Sequence, residues 1–427
     1  MTKIERVELL SSKKDYLYLF TLFILLLSAS LTYQYDNYKE LTKFDSQLVH
    51  ATILKEYTKT KTTKKGTTKS YKVLKLRSDK GFIFYTTAKK DLPDYKGKSL
   101  LMEIYAGKIT FLEYLKNFFA FSKILKVDTK RYLRERLSNM IEKEHSNKNA
   151  AALYKALFIA EPLPYTIQQQ LSNLGISHLI AISGFHLGVL SAILFFLIKQ
   201  PYKLLQNNYF PYRSYQRDSF MFIALLLFGY MLFLDSPPSL LRAFVMLLVG
   251  FILYDRGIKI ISLQTLLVSF LLLIALFPKL IFSIGFFLSL SGVFYIFLFL
   301  IHFQKRSRLW HFILLPFWIY LMMLPYSLVI FGNFSLYHPL SILLTSLFML
   351  FYPLSIFLHL IGYGDLLDKL ITSLLQIETH AINIKLSVWF LAGEILLSMI
   401  TLLRREALYF LLLYSLSIFI YAIYHIT

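Results

Sequence analysis

The chain has 427 residues, 56% of them hydrophobic and 17% charged, with no cysteine and a formal charge of +21. Soluble domains are roughly 45–50% apolar, so this composition, arranged in successive apolar runs of about 17–25 residues, excludes an ordinary soluble domain and points to a polytopic α-helical membrane protein. Without cysteine there are no disulfides, zinc–thiolate sites or iron–sulfur clusters. The basic balance attracts polyanions, anionic lipid or nucleic acid. An AT-rich genome also produces a Lys-, Phe-, Tyr-, Ile- and Leu-rich chain, so the placement of the charge says more than its sum.

Residues 1–14 carry Lys3, Arg6, Lys13 and Lys14, and Tyr16–Tyr35 is the first apolar span. It lacks a small-residue cleavage site of the usual form and reads as a retained anchor, with residues 1–44 forming a cytoplasmic N-terminus and first transmembrane helix. The segment 45–110 is polar and lysine-rich, with alternating stretches YKVLKLRS, GFIFYTTA and SLLMEIYAG separated by turn signals at Asp79-Lys80-Gly81 and Tyr95-Lys96-Gly97. It predicts a small extracytoplasmic β-barrel, OB-like, with KTKTTKKGTTKS (59–70) as a long hairpin tip. One reading of its lysines is a solvated surface that protects strand edges. The other is a single-strand-binding barrel, with Lys61, Lys64, Lys65, Lys69 and Lys72 on phosphates and Tyr71, Phe82, Phe84 and Tyr85 as stacking groups. Residues 111–148 read as helices: FLEYLKNFFAFSKILK amphipathic and lying on the membrane, RYLRERLSNMIEKE polar.

From 149 to 427 the pattern predicts a multi-span domain with broken and re-entrant helices. Span 178–198 ends at Lys199, Lys203, Arg213 and Arg217; 218–235 turns at Asp235-Ser-Pro-Pro238; 239–254 returns to Asp255, Arg256 and Lys259; 260–277 turns at Pro278-Lys279; 280–303 returns to QKRSR; and 309–331 goes out. The basic loops all fall on one side, the cytoplasmic side by the positive-inside rule. Arg404-Arg405 belongs on that side, between last spans 387–403 and 407–425, so residues 333–362 must enter and leave on the other. Pro339 and Pro353 bracket a run too short to cross, which predicts a re-entrant helical hairpin with 364–386 as a surface helix; the rival is that 364–386 crosses despite Asp365, Asp368, Glu378 and His380.

The stretch HLIAISGFHLGVLSAILFFLIK (178–199) places chemistry inside an apolar run. His178, Ser183 and His186 are expensive in lipid and belong against protein or water. Gly184 and Gly188 each cost a helix about 1 kcal/mol relative to alanine and permit a break or a close helix contact. Freed amides at a half-helix N-terminus with these donors make an anion path; tight packing on small residues is the alternative. Arg242 in SPPSLLRAFVM lies about one turn inside a span, either snorkelling, paired with Asp235 or Glu161, or facing an aqueous path. SIGFFLSLSGV (283–293) suits a close helix interface. Ser183 and His186 share a helix face, which leaves an intramembrane serine/histidine hydrolase as an alternative, without a third group. His178 and His186 lack a nearby carboxylate at ligand spacing, so no metal site is expected. No cofactor is expected either, and the absence of a Walker A motif gives no sign that the chain uses ATP itself.

In chain order these segments resemble the ComEC competence family. LGISHLIAISGFHLGVL is similar to the family's glycine–x–serine–histidine…serine–glycine–x–histidine hallmark over Gly175, Ser177, His178, Ser183, Gly184, His186 and Gly188. PPSLLRAFVM resembles its proline–serine…arginine–alanine segment over Pro238, Ser239, Arg242 and Ala243, and FPKLIFSIGFFLSLSGV and LPYSLVIFGNFSLYHPLSILL resemble two later elements. The resemblance implies a non-enzymatic inner-membrane channel that translocates single-stranded DNA into the cytoplasm during natural transformation. It implies His178, Ser183, Gly184, His186, Gly188 and Arg242 along the DNA path. The implied partners are single-stranded DNA, membrane lipids, a periplasmic DNA-binding competence protein and a cytoplasmic helicase-like ATPase; a homo-oligomer is open. A transporter of a small anion or lipid precursor is a further alternative. Two departures stand out. Ala160-Glu161 replaces the family's frequent glycine–aspartate, so no catalytic role is assigned there. The sequence stops at Thr427 without a histidine–x–histidine–x–aspartate–histidine cluster, so a short form lacking the metallo-β-lactamase-like domain is expected.

Overall fold

The computed structural model describes residues 8–62, 68–90, 92–93, 95, 98–127, 133–304 and 307–426. Lys3, Arg6, Lys64, Lys65, Lys96 and Gly97, and two residues of QKRSR, lie outside them, as do the side chains of Lys61 and Lys69. The chain is mostly helical and forms two compact units, one of Lys13–Arg136 with Leu271–Ser283, the other of Met1–Ser12, Leu137–Phe270 and Ile284–Thr427. Among the described residues eight helices are long and apolar enough to cross a membrane, making this a multi-pass membrane protein.

In the first unit, α1 (Lys13–Thr42) contains the expected first span. A six-stranded sheet follows, built from β1 (Gln47–Thr62), β2 (Thr68–Ser78), β3 (Ile83–Lys89), β4 (Ser99–Tyr105), β5 (Phe118–Phe119) and β6 (Phe121–Val127), with α2 (Phe111–Lys116) between β4 and β5. The strand order is β5-β3-β2-β1-β4-β6. Every pair is antiparallel except β3 with β5. Gly81, at φ +81°, closes the β2–β3 hairpin where DKG predicted a turn. Alternation sends Leu74, Leu76, Phe84, Leu100, Met102 and Ile104 into one core.

Residues 111–127 correct the expected amphipathic helix. The Thr110 capping box starts α2, and the Thr110 amide and hydroxyl hold the Glu113 carboxyl below the usual carboxylate range. Asn117, at φ +75°, ends the helix after six residues. The next stretch then pairs as β6 with the free edge of β4, from Tyr105↔Phe121 to Leu100↔Val127. A sequence that fits either period takes the strand because a sheet edge with unpaired amides lies alongside. The sheet therefore extends past residue 110.

Next in chain order are α3 (Leu133–Glu144), α4 (Lys148–Ile159), α5 (Tyr165–Asn173) and the one-turn α6 (Ser177–Ile180). The apolar helices α7 (Gly184–Tyr209), α8 (Tyr215–Phe233), α9 (Pro238–Asp255), α10 (Leu263–Leu276), α11 (Ile284–His302) and α12 (Arg308–Ile330) follow. Then come the short β7 (Asn333–Ser335), α13 (Leu340–Leu360), α14 (Asp368–Leu375), β8 (Ala381–Asn383), α15 (Val388–Leu403) and α16 (Ala407–Tyr424). Helix α7 continues through Pro201, so Lys199 and Lys203 are helical rather than loop residues. Arg217 pairs with Asp255 at 2.6 Å, and Arg405 donates to the His302 carbonyl at 3.0 Å. Each pair ties together two of the basic segments that charge bias placed on one side.

Residues 333–386 depart from the expected hairpin over 333–362: β7 pairs antiparallel with β8, so the two ends that lie together are 333–335 and 381–383, and 364–386 makes the return, as in the rival reading. The outward leg is a single 21-residue helix, α13, which runs through Pro353 instead of breaking there. The return leg is α14 and the extended stretch to β8, not a surface helix: Asp368 and Ile371 are buried at 7% and 3% exposure. A proline removes one helical hydrogen bond, and neighbouring packing in a membrane bundle offsets it.

Candidate functional site

The apolar run at 178–199 is broken as its chemistry predicted. α6 stops at Ile180, residues 181–183 are non-helical, and α7 starts at Gly184 with Ser183 as its N-cap. His186 folds back onto that start. Its Nδ1 accepts from the Ser183 amide at 3.2 Å and lies 3.1 Å from Ser183 Oγ. Nε2 is buried without a hydrogen-bond partner among the described residues. The Nδ1 lone pair that a general base would use on Ser183 is thus shared between Ser183's own N–H and its hydroxyl. The pair is built to cap a helix, and among the described residues no carboxylate hydrogen-bonds to the ring.

The start of α9 docks on this break. Ser239 donates its hydroxyl to the Ile182 carbonyl at 2.7 Å, satisfying an acceptor that the break exposes. A Cβ on Gly184 would lie 3.3 Å from Ala243 Cβ, so the two backbones approach on small residues. One turn along, Arg242 is 6% exposed. It donates from Nη2 to the Gly285 carbonyl of α11 at 3.1 Å, with its guanidinium 5.8 Å from the Phe286 ring. No ion pair of Arg242 with Asp235 or Glu161 forms among the described residues; Glu161 accepts from Ser138 at 2.8 Å.

On the other flank, Gly175 adopts φ +73°, and a Cβ there would lie 3.3 Å from both the His338 carbonyl and Ser341 Cβ. His338 Nε2 donates to the Ser172 carbonyl at 3.0 Å, and Ser335 donates to the Asn173 carbonyl. Asn333 donates to Ser172 Oγ and Asn173 Oδ1, both at 3.1 Å, and Asn173 to Thr379 Oγ1 at 3.1 Å. The exposed carbonyls after α5 are thereby tied to the loop before α13 and to the return leg. All four motif segments of the resemblance therefore meet around the α6–α7 break.

The structure sorts the expected path residues into two groups. His178, Gly184 and Gly188 are exposed and Ser183 is half-buried. His186 (0%) and Arg242 (6%) are buried, which corrects their expected place as donors lining a wetted path. His186 is part of the α7 cap, and Arg242 lies between α9 and α11. A Cβ at Gly188 meets nothing within 4 Å, so Gly188→Ala is expected to leave the thermal midpoint unchanged or raise stability by up to about 1 kcal/mol. Gly188→Leu is expected to keep normal protein levels on an immunoblot; a parallel fall in DNA uptake identifies an obstructed path.

In the sheet, Phe82 and Phe84 are core residues at 2% and 0% exposure, not stacking groups. They pack on Tyr114 and Phe118. Lys72 bonds the Leu92 carbonyl at 2.7 Å and pairs with Glu56 at 3.5 Å, so its charge is already answered. Register shows what alternation alone did not. Lys59↔Tyr71↔Lys89, Tyr57↔Val73↔Thr87 and Lys55↔Lys75↔Tyr85 are cross-strand rows, and their spacing of two puts them on one face. On it Lys59 lies 5.7 Å from the Tyr57 ring centroid and Lys75 5.8 Å from that of Tyr85. Burial, and then the Arg77 charge, pull the Lys75 ammonium below the ordinary lysine range.

A second polar cluster was not anticipated. His145 Nδ1 meets Asp368 Oδ1 at 2.8 Å, and its Nε2 lies 3.1 Å from Nε2 of His359, whose Nδ1 donates to the Ser355 carbonyl at 2.6 Å. Tyr154 stacks on His145 at 4.6 Å. The isolated polar residues in otherwise apolar runs were the available signal; their partners are more than 200 positions apart in the chain.

A family model described as "Competence protein" matches residues 160–426. No curated protein and no solved structure matches. The matched region contains the α6–α7 break, its α9 and α11 partners and the return leg, so with the fold and the converging motif segments the chain belongs to the ComEC-type competence protein family and has a role in DNA uptake.

Proposed function

We propose that the protein is an inner-membrane channel that passes single-stranded DNA into the cytoplasm during natural transformation. The observation that carries this reading, beside the family, is the sheet face on which Lys55, Lys59, Lys75 and Lys89 alternate with Tyr57, Tyr71 and Tyr85. Lysines attract phosphates without sequence preference, and interleaved aromatic rings accept bases. The sheet is read as an OB-like barrel over about residues 45–127, closed where Thr86 of β3 and Ser122 of β6 lie 2.8 Å apart, and facing the outside. The N-terminus and the basic loops are cytoplasmic by charge bias. The strand then meets the exposed start of α7 at Gly184 with His178 and Gly188 nearby, where helix-terminal amides favour anions. Arg242, buried beside the break without a carboxylate partner among the described residues, adds a positive field that low dielectric preserves. The reading places a DNA-binding protein of the periplasm upstream and a helicase-like ATPase on the cytoplasmic side.

Deletion of the gene tests it, with labelled double-stranded DNA offered to the cells. DNA that enters the periplasm but never reaches the cytoplasm, with transformants lost, supports the channel. Unaffected transformation removes it. Within the full-length protein, Lys59→Gln with Lys75→Gln and Lys89→Gln is expected to weaken single-strand binding and lower its salt slope by about 0.7 for each phosphate no longer neutralised. Tyr57→Ala or Tyr85→Ala should cost about 1–3 kcal/mol of binding per unstacked base, measured by fluorescence titration. An unchanged salt slope in the lysine variant would remove this face from the DNA path.

A further inference from the structure

Glu394 lies on α15 with 0% exposure, inside the bundle of α11, α12, α15 and α16. Ser415 of α16 is 3.1 and 3.2 Å from its two carboxyl oxygens, and the Tyr295 hydroxyl of α11 is 3.5 Å away. Tyr326 of α12 stands behind Tyr295 at 3.4 Å, and Tyr414 of α16 lies close enough to interact with the carboxyl. These tyrosines are the titratable groups facing it, and no lysine, arginine or histidine from these helices pairs with it among the described residues. An ionised carboxylate has about four acceptor sites, and burying one without a cation costs several kcal/mol. Here it would find one hydroxyl shared between two oxygens and a second at long range.

A protonated carboxyl fits these neighbours. Its O–H donates to Ser415 Oγ, and Ser415 in turn donates to the Leu411 carbonyl at 3.1 Å. The polar groups also continue in one direction. Tyr295 lies 2.9 Å from Ser398 Oγ, and Ser398 and Thr401 follow Glu394 by four and seven positions on the same face of α15, at 1% and 2% exposure, their hydroxyls donating to the Glu394 and Ser398 carbonyls at 2.7 and 2.6 Å. Thr401 lines a cavity of about 330 Å³ beside His302 and Arg405, at the basic end of the bundle.

We propose that Glu394 is a proton-binding site of the membrane domain, filled and emptied from the cavity at His302 and Arg405 past Tyr295, with Ser398 and Thr401 relaying the proton when their hydroxyls turn from the carbonyls they bond. On release the carboxyl O–H breaks, the proton passes to water in that cavity, and a carboxylate remains; loading is the reverse. The transport domain then carries an exchangeable proton as a second ligand, whatever polymer or small anion it moves, so the inference does not rest on the DNA channel.

Infrared spectroscopy of the full-length protein in lipid nanodiscs tests it. At neutral pH the expected result is a carboxylic-acid carbonyl band that is lost in Glu394→Gln, fades reversibly as pH is raised, and fades more slowly in Thr401→Val. If Glu394→Gln does not fold, Ser415→Ala serves instead, since removing the hydrogen-bond partner must shift the same band. No acid band from Glu394 at neutral pH, a band that stays constant across the whole pH range in which the protein stays folded, or fading as fast in Thr401→Val as in the parent overturns the proposal.

Discussion

Gly175→Ala is expected to destabilise the membrane unit by on the order of 2–5 kcal/mol and to abolish DNA uptake. Two costs add. At φ +73° a side chain enters the left-handed region, at about 1–2 kcal/mol. The new Cβ also lies 3.3 Å from the His338 carbonyl and from Ser341 Cβ. His338 sits in the loop that carries the His338–Ser172 and Ser335–Asn173 bonds, so it cannot retreat without loosening them. Leaving a part-buried carbonyl such as that of Ser172 without its donor adds up to about 1–3 kcal/mol. Gly362 supplies the control. It has φ +80° but open space where a Cβ would go, so Gly362→Ala carries the conformational cost alone. Thermal unfolding of the two purified variants, beside transformation frequency at matched membrane levels, separates the terms. If Gly175→Ala is no worse than Gly362→Ala, close packing against His338 is not why glycine is needed there.

The parts of this fold that depend on local signals were legible in the sequence. Apolar runs mark the spans, and loop charge marks their pairing, as the Arg405–His302 contact bears out. Ser183, Gly184 and His186 announce a break because their costs inside a lipid-facing helix are large and have no local remedy. What local signals could not supply was the choice between partners. FSKILKV fits a surface helix or a strand, and the unpaired edge of β4 decides it. Pro353 is a helix breaker in water but not inside a packed bundle. Phe82 and Phe84 fit the pattern of stacking groups because aromatics in a basic barrel can serve either the core or the surface. Register decides: the residues of β3 that share a face with Lys75 are Tyr85, Thr87 and Lys89, while Phe84 faces the core. Of the three placements open for Arg242, pairing with Asp235 or Glu161 does not occur among the described residues for a related reason, since a backbone carbonyl from α11 is an acceptor that no residue type advertises.

Arg242→Met is expected to leave the protein as stable as the parent or more so, and to eliminate uptake. Arg242 is 6% exposed, has no ion-pair partner among the described residues, and has Nε buried without an acceptor. Keeping a charge there costs several kcal/mol, and replacing buried ionic groups with apolar ones of similar volume is often neutral or stabilising by about 1–4 kcal/mol. Against this stands the loss of one donor to the Gly285 carbonyl, about 1–3 kcal/mol, which α11's own helical bonding moderates. On the proposed reading, an arginine on the same helix turn as Ser239 and Ala243 at the α6–α7 break acts through its charge on the passing anion and not through the fold. Arg242→Lys is expected to lose most of the activity as well. Its ammonium is a compact, strongly hydrated point charge that lacks the planar fork reaching Gly285 beside Phe286. Thermal midpoint and transformation frequency, measured together, decide the matter. Normal uptake in Arg242→Met would show that the charge does not act on the passing strand, and a large drop in midpoint would show that the guanidinium instead holds α9 to α11.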